Sequence, residues 1–82
     1  SAGAKKVVLA FGEYLESAAG SPIEIYTAAI KHAREKSGLK GRDLFMPVRA
    51  ALTGKVQGPE LERVFAVIGK ESAARRLKQA YP

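Results

Sequence analysis

His32 is the only imidazole in the chain, so any acid–base or nucleophilic chemistry has to begin there. It stands beside Lys31 and Arg34, with no Ser or Asp at a spacing that makes a triad. A solvated or half-buried structural histidine fits that setting better. Glu13 and Glu16 lie one helical turn apart and can share a face, but carboxylates on a first helix are ordinarily solvent-facing. Gly69-Lys70-Glu71-Ser72 has the look of a phosphate loop. It lacks the earlier glycine and a preceding strand, and reads as a helix start. Cysteine is absent, which excludes disulfides, zinc–thiolate sites and thiol catalysis, and a lone histidine gives no footing for a His-based metal cluster. Nothing here supports an enzyme acting alone.

Recognition chemistry is better represented. Arg49 lies in an otherwise apolar segment, Phe45-Met46-Pro47-Val48 before it and Ala50-Ala51-Leu52 after it. A guanidinium whose stem is packed among such neighbours can stack on a base or fork onto base-edge acceptors. It can equally close an internal salt bridge, with Glu60 or Glu62 as the acid. Gly58-Pro59 is similarly two-sided. A residue without a side chain lets a base approach the backbone, and the free amides of a helix starting near Pro59 can donate to nucleic-acid oxygens. Pro59 and Leu61 would add apolar surface, yet the same pair serves as an ordinary helix–helix turn.

Charge favours a polyanion. The chain of 82 residues carries a net charge of +6, unevenly spread. Residues 1–30 sum to −1, residues 31–55 to +5, residues 56–69 to −1 and residues 70–82 to +3. The basic middle holds Lys31, Arg34, Lys36, Lys40, Arg42, Arg49 and Lys55. Such a field attracts nucleic acid, the commonest polyanion, although lysine and arginine also solubilise small helical surfaces. A helix-turn-helix reader of duplex DNA is disfavoured, because the helix after Gly58 carries Glu60 and Glu62 beside Arg63 and is too acidic for a major groove.

The elements that must position these groups are short helices. The length suits one domain, and 46% hydrophobic with 27% charged residues is globular. The longest uncharged stretches, Val7–Gly12 and Ser17–Ile23, fall well short of the roughly 20 residues of a membrane span. No signal peptide is visible, since Glu13 and Glu16 break the apolar stretch after Lys5-Lys6. Val8, Phe11, Leu15 and Ala18 mark a first helix over about 4–18. Ser21-Pro22-Ile23-Glu24 is a capping-box start for a second helix reaching about Lys36, with Gly38 as its left-handed stop. Leu44, Val48, Ala51 and Leu52 share a face, while Pro47 predicts a distortion near Phe45 and Met46. A fourth helix is expected with Pro59 at its first position. A fifth covers about 70–80, with Ala74, Leu77 and Tyr81 inward and Arg75, Arg76 and Lys78 outward. No strict alternation persists, so the fold class is all-α, about five short helices.

The string from Gly38 through Gly54, followed by Gly58-Pro59-Glu60-Leu61, resembles the C-terminal anticodon-binding domain of bacterial glutamyl-tRNA synthetases. Ile68-Gly69-Lys70-Glu71 with Arg75-Arg76-Leu77 resembles that domain's end, and the likeness covers about residues 23–80. It implies a helical cage over residues 1–82 that receives the anticodon loop of tRNA(Glu). It implies one part of a longer ligase, continuous with an upstream catalytic domain that uses ATP and magnesium, with no cofactor and no catalysis in this part. A cytoplasmic, monomeric, membrane-free protein is expected. By position, Arg49 becomes a base-stacking or base-contacting residue, and Gly58, Pro59 and Leu61 the opposing side of a nucleotide slot. Arg42, Thr53 and Lys55 become nearby backbone contacts. Gln57 departs from the family, where His is common, which bears on the base preferred. The competing expectation is a helical protein-interaction module derived from the same domain.

Overall fold

The computed structural model describes residues 1–82 as five α-helices and no strands. They are α1 Ala2–Leu15, α2 Pro22–Ser37, α3 Arg42–Thr53, α4 Leu61–Ile68 and α5 Lys70–Ala80. The all-α expectation holds, and no helix is long and apolar enough to cross a membrane.

The boundaries follow from the caps. α2 begins as its sequence dictates. The Ser21 hydroxyl accepts from the Glu24 amide at 3.2 Å, and the Ser21 amide donates to the Glu24 carboxylate at 2.8 Å. It ends on Gly38, left-handed at φ 74°. α1 starts two residues earlier than expected because the Ser1 hydroxyl accepts from the Ala4 amide at 3.1 Å. It also ends earlier. Beyond Leu15 the amides of Glu16 and Ala18 bond three residues back, a tightened turn. The Lys70 ammonium then donates to the Ala18 carbonyl at 3.0 Å, fastening this turn to the start of α5.

α3 runs uninterrupted through Pro47, where a distortion was expected. The amide that Pro47 lacks would have reached exposed Asp43 in the first turn. A proline inside a helix costs about 3 kcal/mol. Leu44, Val48 and Leu52, spaced by four, are 0%, 0% and 1% exposed. Burying each contributes about 1.5–3 kcal/mol, so the packed stripe outweighs the lost bond.

α4 also differs from expectation. Glu60 has an extended backbone, ψ 134°, and its carbonyl is the first acceptor, from the Arg63 and Val64 amides. Pro59 therefore precedes the helix by two residues and lies in the connection. In α5, Ala73 and Leu77 are the buried pair, with Ala74 and Tyr81 only partly covered. Arg76 is not simply outward: its Nη1 donates to the Leu52 carbonyl at 2.7 Å, tying α5 to the end of α3.

Eighteen residues from all five helices and the α1–α2 turn form one core with no buried charge. At its centre the rings of Phe11, Tyr26 and Phe65 contact one another at centroid distances of 6.0, 6.0 and 5.9 Å. The two contacts of Phe11 are edge-on, the arrangement aromatic quadrupoles favour. This cluster joins α1, α2 and α4 and fixes Tyr26 where α2 meets α4.

Candidate nucleic-acid interface

Arg49 sits one turn before the end of α3, and its backbone carbonyl is held. The Thr53 hydroxyl donates to that carbonyl at 2.8 Å and accepts from the Lys55 amide at 3.0 Å. Thr53 thus ties the turn after Gly54 to the backbone of Arg49. The side chain of Arg49 is half-buried, and its Nη1 is fully covered with no hydrogen-bond partner. An unspent buried donor is costly, about 1–3 kcal/mol, and more for a charged group. Neither acid proposed for an internal salt bridge reaches it. The only ion pair within 4.0 Å in the structure joins His32 and Glu13, at 2.8 Å. His32 is accordingly a half-buried structural residue between α1 and α2, beside the ring of Tyr14.

Gly58 explains how Nη1 is covered. Its φ is +155°, and a Cβ built there would stand 3.2 Å from Arg49 Nη1. The connection between α3 and α4 therefore lies against the guanidinium, and only a residue without a side chain allows this approach. On its open side Arg49 lines a shallow hollow of about 390 Å³ with Tyr26, Phe45, Glu60, Leu61 and Glu62. That volume falls in the roughly 300–1,000 Å³ range of small-molecule sites. Burial, and then the Glu62 carboxylate, push the Tyr26 phenol up to about 12, against a smaller opposing effect of Arg49.

The residues expected to make the site divide accordingly. Arg49 and Leu61 share the hollow, and Gly58 abuts Arg49. Pro59 opens instead onto a neighbouring depression with Arg63, Val64, Val67 and Ile68. Lys55 is exposed just beyond the α3 cap. Arg42 is at the other end of α3, about 10 Å along the axis from Arg49 at 1.5 Å per residue. It borders a separate hollow with Leu39, Met46, Pro47 and Tyr81. Sequence reasoning passed over Tyr26, assigned only to an apolar helix face, and Phe45. Phe45 carried a usable signal, four residues before Arg49 on the same face of α3. Tyr26 carried none, because its meeting with α4 is a tertiary fact. No group of three or more His, Asp or Glu side chains is gathered in a way that could hold a metal ion.

Around this hollow the surface is basic on one flank. Lys31, Arg34, Lys36, Lys40 and Arg42 are all exposed and make no ion pair. A five-helix fold with an unsatisfied arginine at a corner and free cations leading away from it has the features of a small RNA-contacting domain.

Comparison with known families agrees. The anticodon binding domain model matches residues 1–81, and the chain belongs to that family. Its relatives include glutamate–tRNA ligase 1 of Halorhodospira halophila, 44% identical over 77 residues, 90% of this chain and 16% of the relative. The glutamate–tRNA ligase of Bacillus velezensis is 42% identical over 73 residues, 89% of this chain and 15% of the relative. Glutamate–tRNA ligase 2 of Syntrophus aciditrophicus is 41% identical over 68 residues, 83% of this chain and 14% of the relative. The chain thus spans about one-sixth of the length of these curated relatives. No solved structure matches it.

Proposed function

We propose that residues 1–82 form one anticodon-binding module that receives the anticodon loop of tRNA(Glu) within a glutamate–tRNA ligase. In this reading the module does no catalysis. ATP and magnesium act in the ligase's catalytic domain, to which the module is covalently joined, in a cytoplasmic and monomeric protein. The observation that carries it is the covered, unpartnered Nη1 of Arg49 beside a hollow of nucleotide scale. An unpaired loop base brings the acceptors that this donor lacks, and its face can rest on Phe45 or Leu61. Arg42, Thr53 and Lys55 are assigned supporting roles. Arg42 and Lys55 attract backbone phosphates, and Thr53 holds the turn that carries Lys55. Pro59 stiffens the corner against Arg49.

Titration of the tRNA(Glu) anticodon stem-loop tests this. Arg49→Ala should weaken binding by about 1–3 kcal/mol, the scale of one bidentate or stacking contact. Unchanged affinity removes Arg49 from the site. Should the module dock an apolar protein face instead, for which exposed Val67 beside Pro59 is the best anchor, complex formation would be nearly indifferent to salt.

A further inference from the structure

We propose that the hollow beside Arg49 admits an uncharged nucleobase and excludes phosphate, and that Tyr26 contacts this base through its phenolic hydroxyl. The inference rests on the RNA-binding reading above and specifies what that site takes. The charge around the hollow decides the class of ligand. One cation, Arg49, faces two carboxylates, Glu60 and Glu62, in a lining of six residues. A phosphate entering there meets net negative charge, whereas the basic flank offers several free cations. A neutral base meets no such penalty. Its ring nitrogens and carbonyls accept from Arg49, any exocyclic amine donates to a carboxylate, and its face lies on apolar surface. Phe45, 38% exposed, and Leu61 supply that surface.

Tyr26 is the group in the hollow with most to gain. Its ring is packed against Phe11 and Phe65 and the residue is only 7% exposed. Yet none of the side-chain hydrogen bonds in the chain involves its hydroxyl. Buried tyrosine hydroxyls usually find a partner, and the open space that Tyr26 lines is this hollow. With the phenol pushed up to about 12 the hydroxyl stays protonated at neutral pH, so it can donate as well as accept. Phe11 and Phe65 hold it in place before any ligand arrives.

The test uses the 82-residue chain and the tRNA(Glu) anticodon stem-loop, with binding read by NMR shift titration, which reaches millimolar affinities. Wild type, Tyr26→Phe and Arg49→Ala are compared at several salt concentrations, and each is melted by circular dichroism. Tyr26→Phe keeps the ring and should melt with the wild type while binding about three- to tenfold more weakly, the net effect of one hydrogen bond. Neither variant should change the slope of log affinity against log salt. Wild-type affinity for Tyr26→Phe, with Arg49→Ala impaired, overturns the role of Tyr26 alone. A slope that becomes shallower by about 0.7 in Arg49→Ala means that a phosphate occupies the hollow and overturns the exclusion. No saturable shifts in the wild type, or an Arg49→Ala chain that binds normally, overturns the underlying RNA site.

Discussion

Arg49 and Gly58 act as a pair, and each is intelligible only through the other. The arginine stem is packed, its Nη1 is covered without a partner, and the backbone at Gly58 provides the cover. Gly58→Ala adds a methyl 3.2 Å from that nitrogen, at a φ that side chains avoid. It should destabilise the fold by about 1–3 kcal/mol in urea melts and displace the guanidinium, weakening stem-loop binding as well. A Gly58→Ala chain as stable as the wild type would mean that the corner does not press on Arg49. Tyr26 gives a spectroscopic check on the same hollow. Its phenol is raised from 10.0 to about 12, so the fold favours its protonated form. That contribution is complete below pH 10 and is lost as pH rises through about 12. Absorbance titration should show a tyrosine deprotonating near pH 12 that disappears in Tyr26→Phe.

At the scale of helices, local chemistry decides most boundaries. The Ser21–Glu24 capping box is reciprocal, and the hydrogen bonds from Ser21, the backbone one first, hold the Glu24 carboxyl below its ordinary 4.5. A depressed carboxylate stabilises the fold above its unfolded value and loses that contribution as pH falls through the folded one. Wild type should therefore melt above Glu24→Gln at pH 7, and the gap should close in acid. An equal gap at pH 3 and pH 7 would contradict the ionic cap. Ser21→Ala should cost about 0.5–2 kcal/mol by the same melts. Caps of this kind were legible from residue types alone, as were the glycine stops and the apolar stripe of α3. The misreadings share a cause. Pro47 looked disruptive because local rules weigh the missing amide without the burial of Leu44, Val48 and Leu52. Pro59 looked like the first residue of α4 because nothing local says that Glu60 is extended. Arg76 looked solvent-facing because its partner, the Leu52 carbonyl, is 24 residues away. For the candidate site, Arg49 stood out as a charge in an apolar run, whereas Tyr26 required knowledge of which helices meet.

Over the whole molecule, charge and core are kept apart. The core holds no charged side chain, while free cations spread from the end of α2 across the start of α3. Long-range attraction therefore comes from a different surface than the hollow, where two carboxylates accompany Arg49. Replacing Lys36, Lys40 and Arg42 together by alanine should make RNA binding weaker and its salt dependence shallower, by about 0.7 in slope for each phosphate no longer neutralised. Phe65→Ala should remove about 3–5 kcal/mol, a large share of the roughly 4–12 kcal/mol expected for a chain of this size. It would release Tyr26 along with the core. Both follow from an arrangement in which a rigid apolar centre aims a few polar atoms and a separate basic flank gathers the polyanion. The most direct measurement is a residue-resolved NMR titration of the chain with the tRNA(Glu) anticodon stem-loop. Saturable shifts should concentrate at Tyr26, Phe45, Arg49, Gly58 and Leu61, with weaker ones along the basic flank. Shifts confined to other surfaces, or none at Arg49 and Leu61 at saturation, would contradict the account.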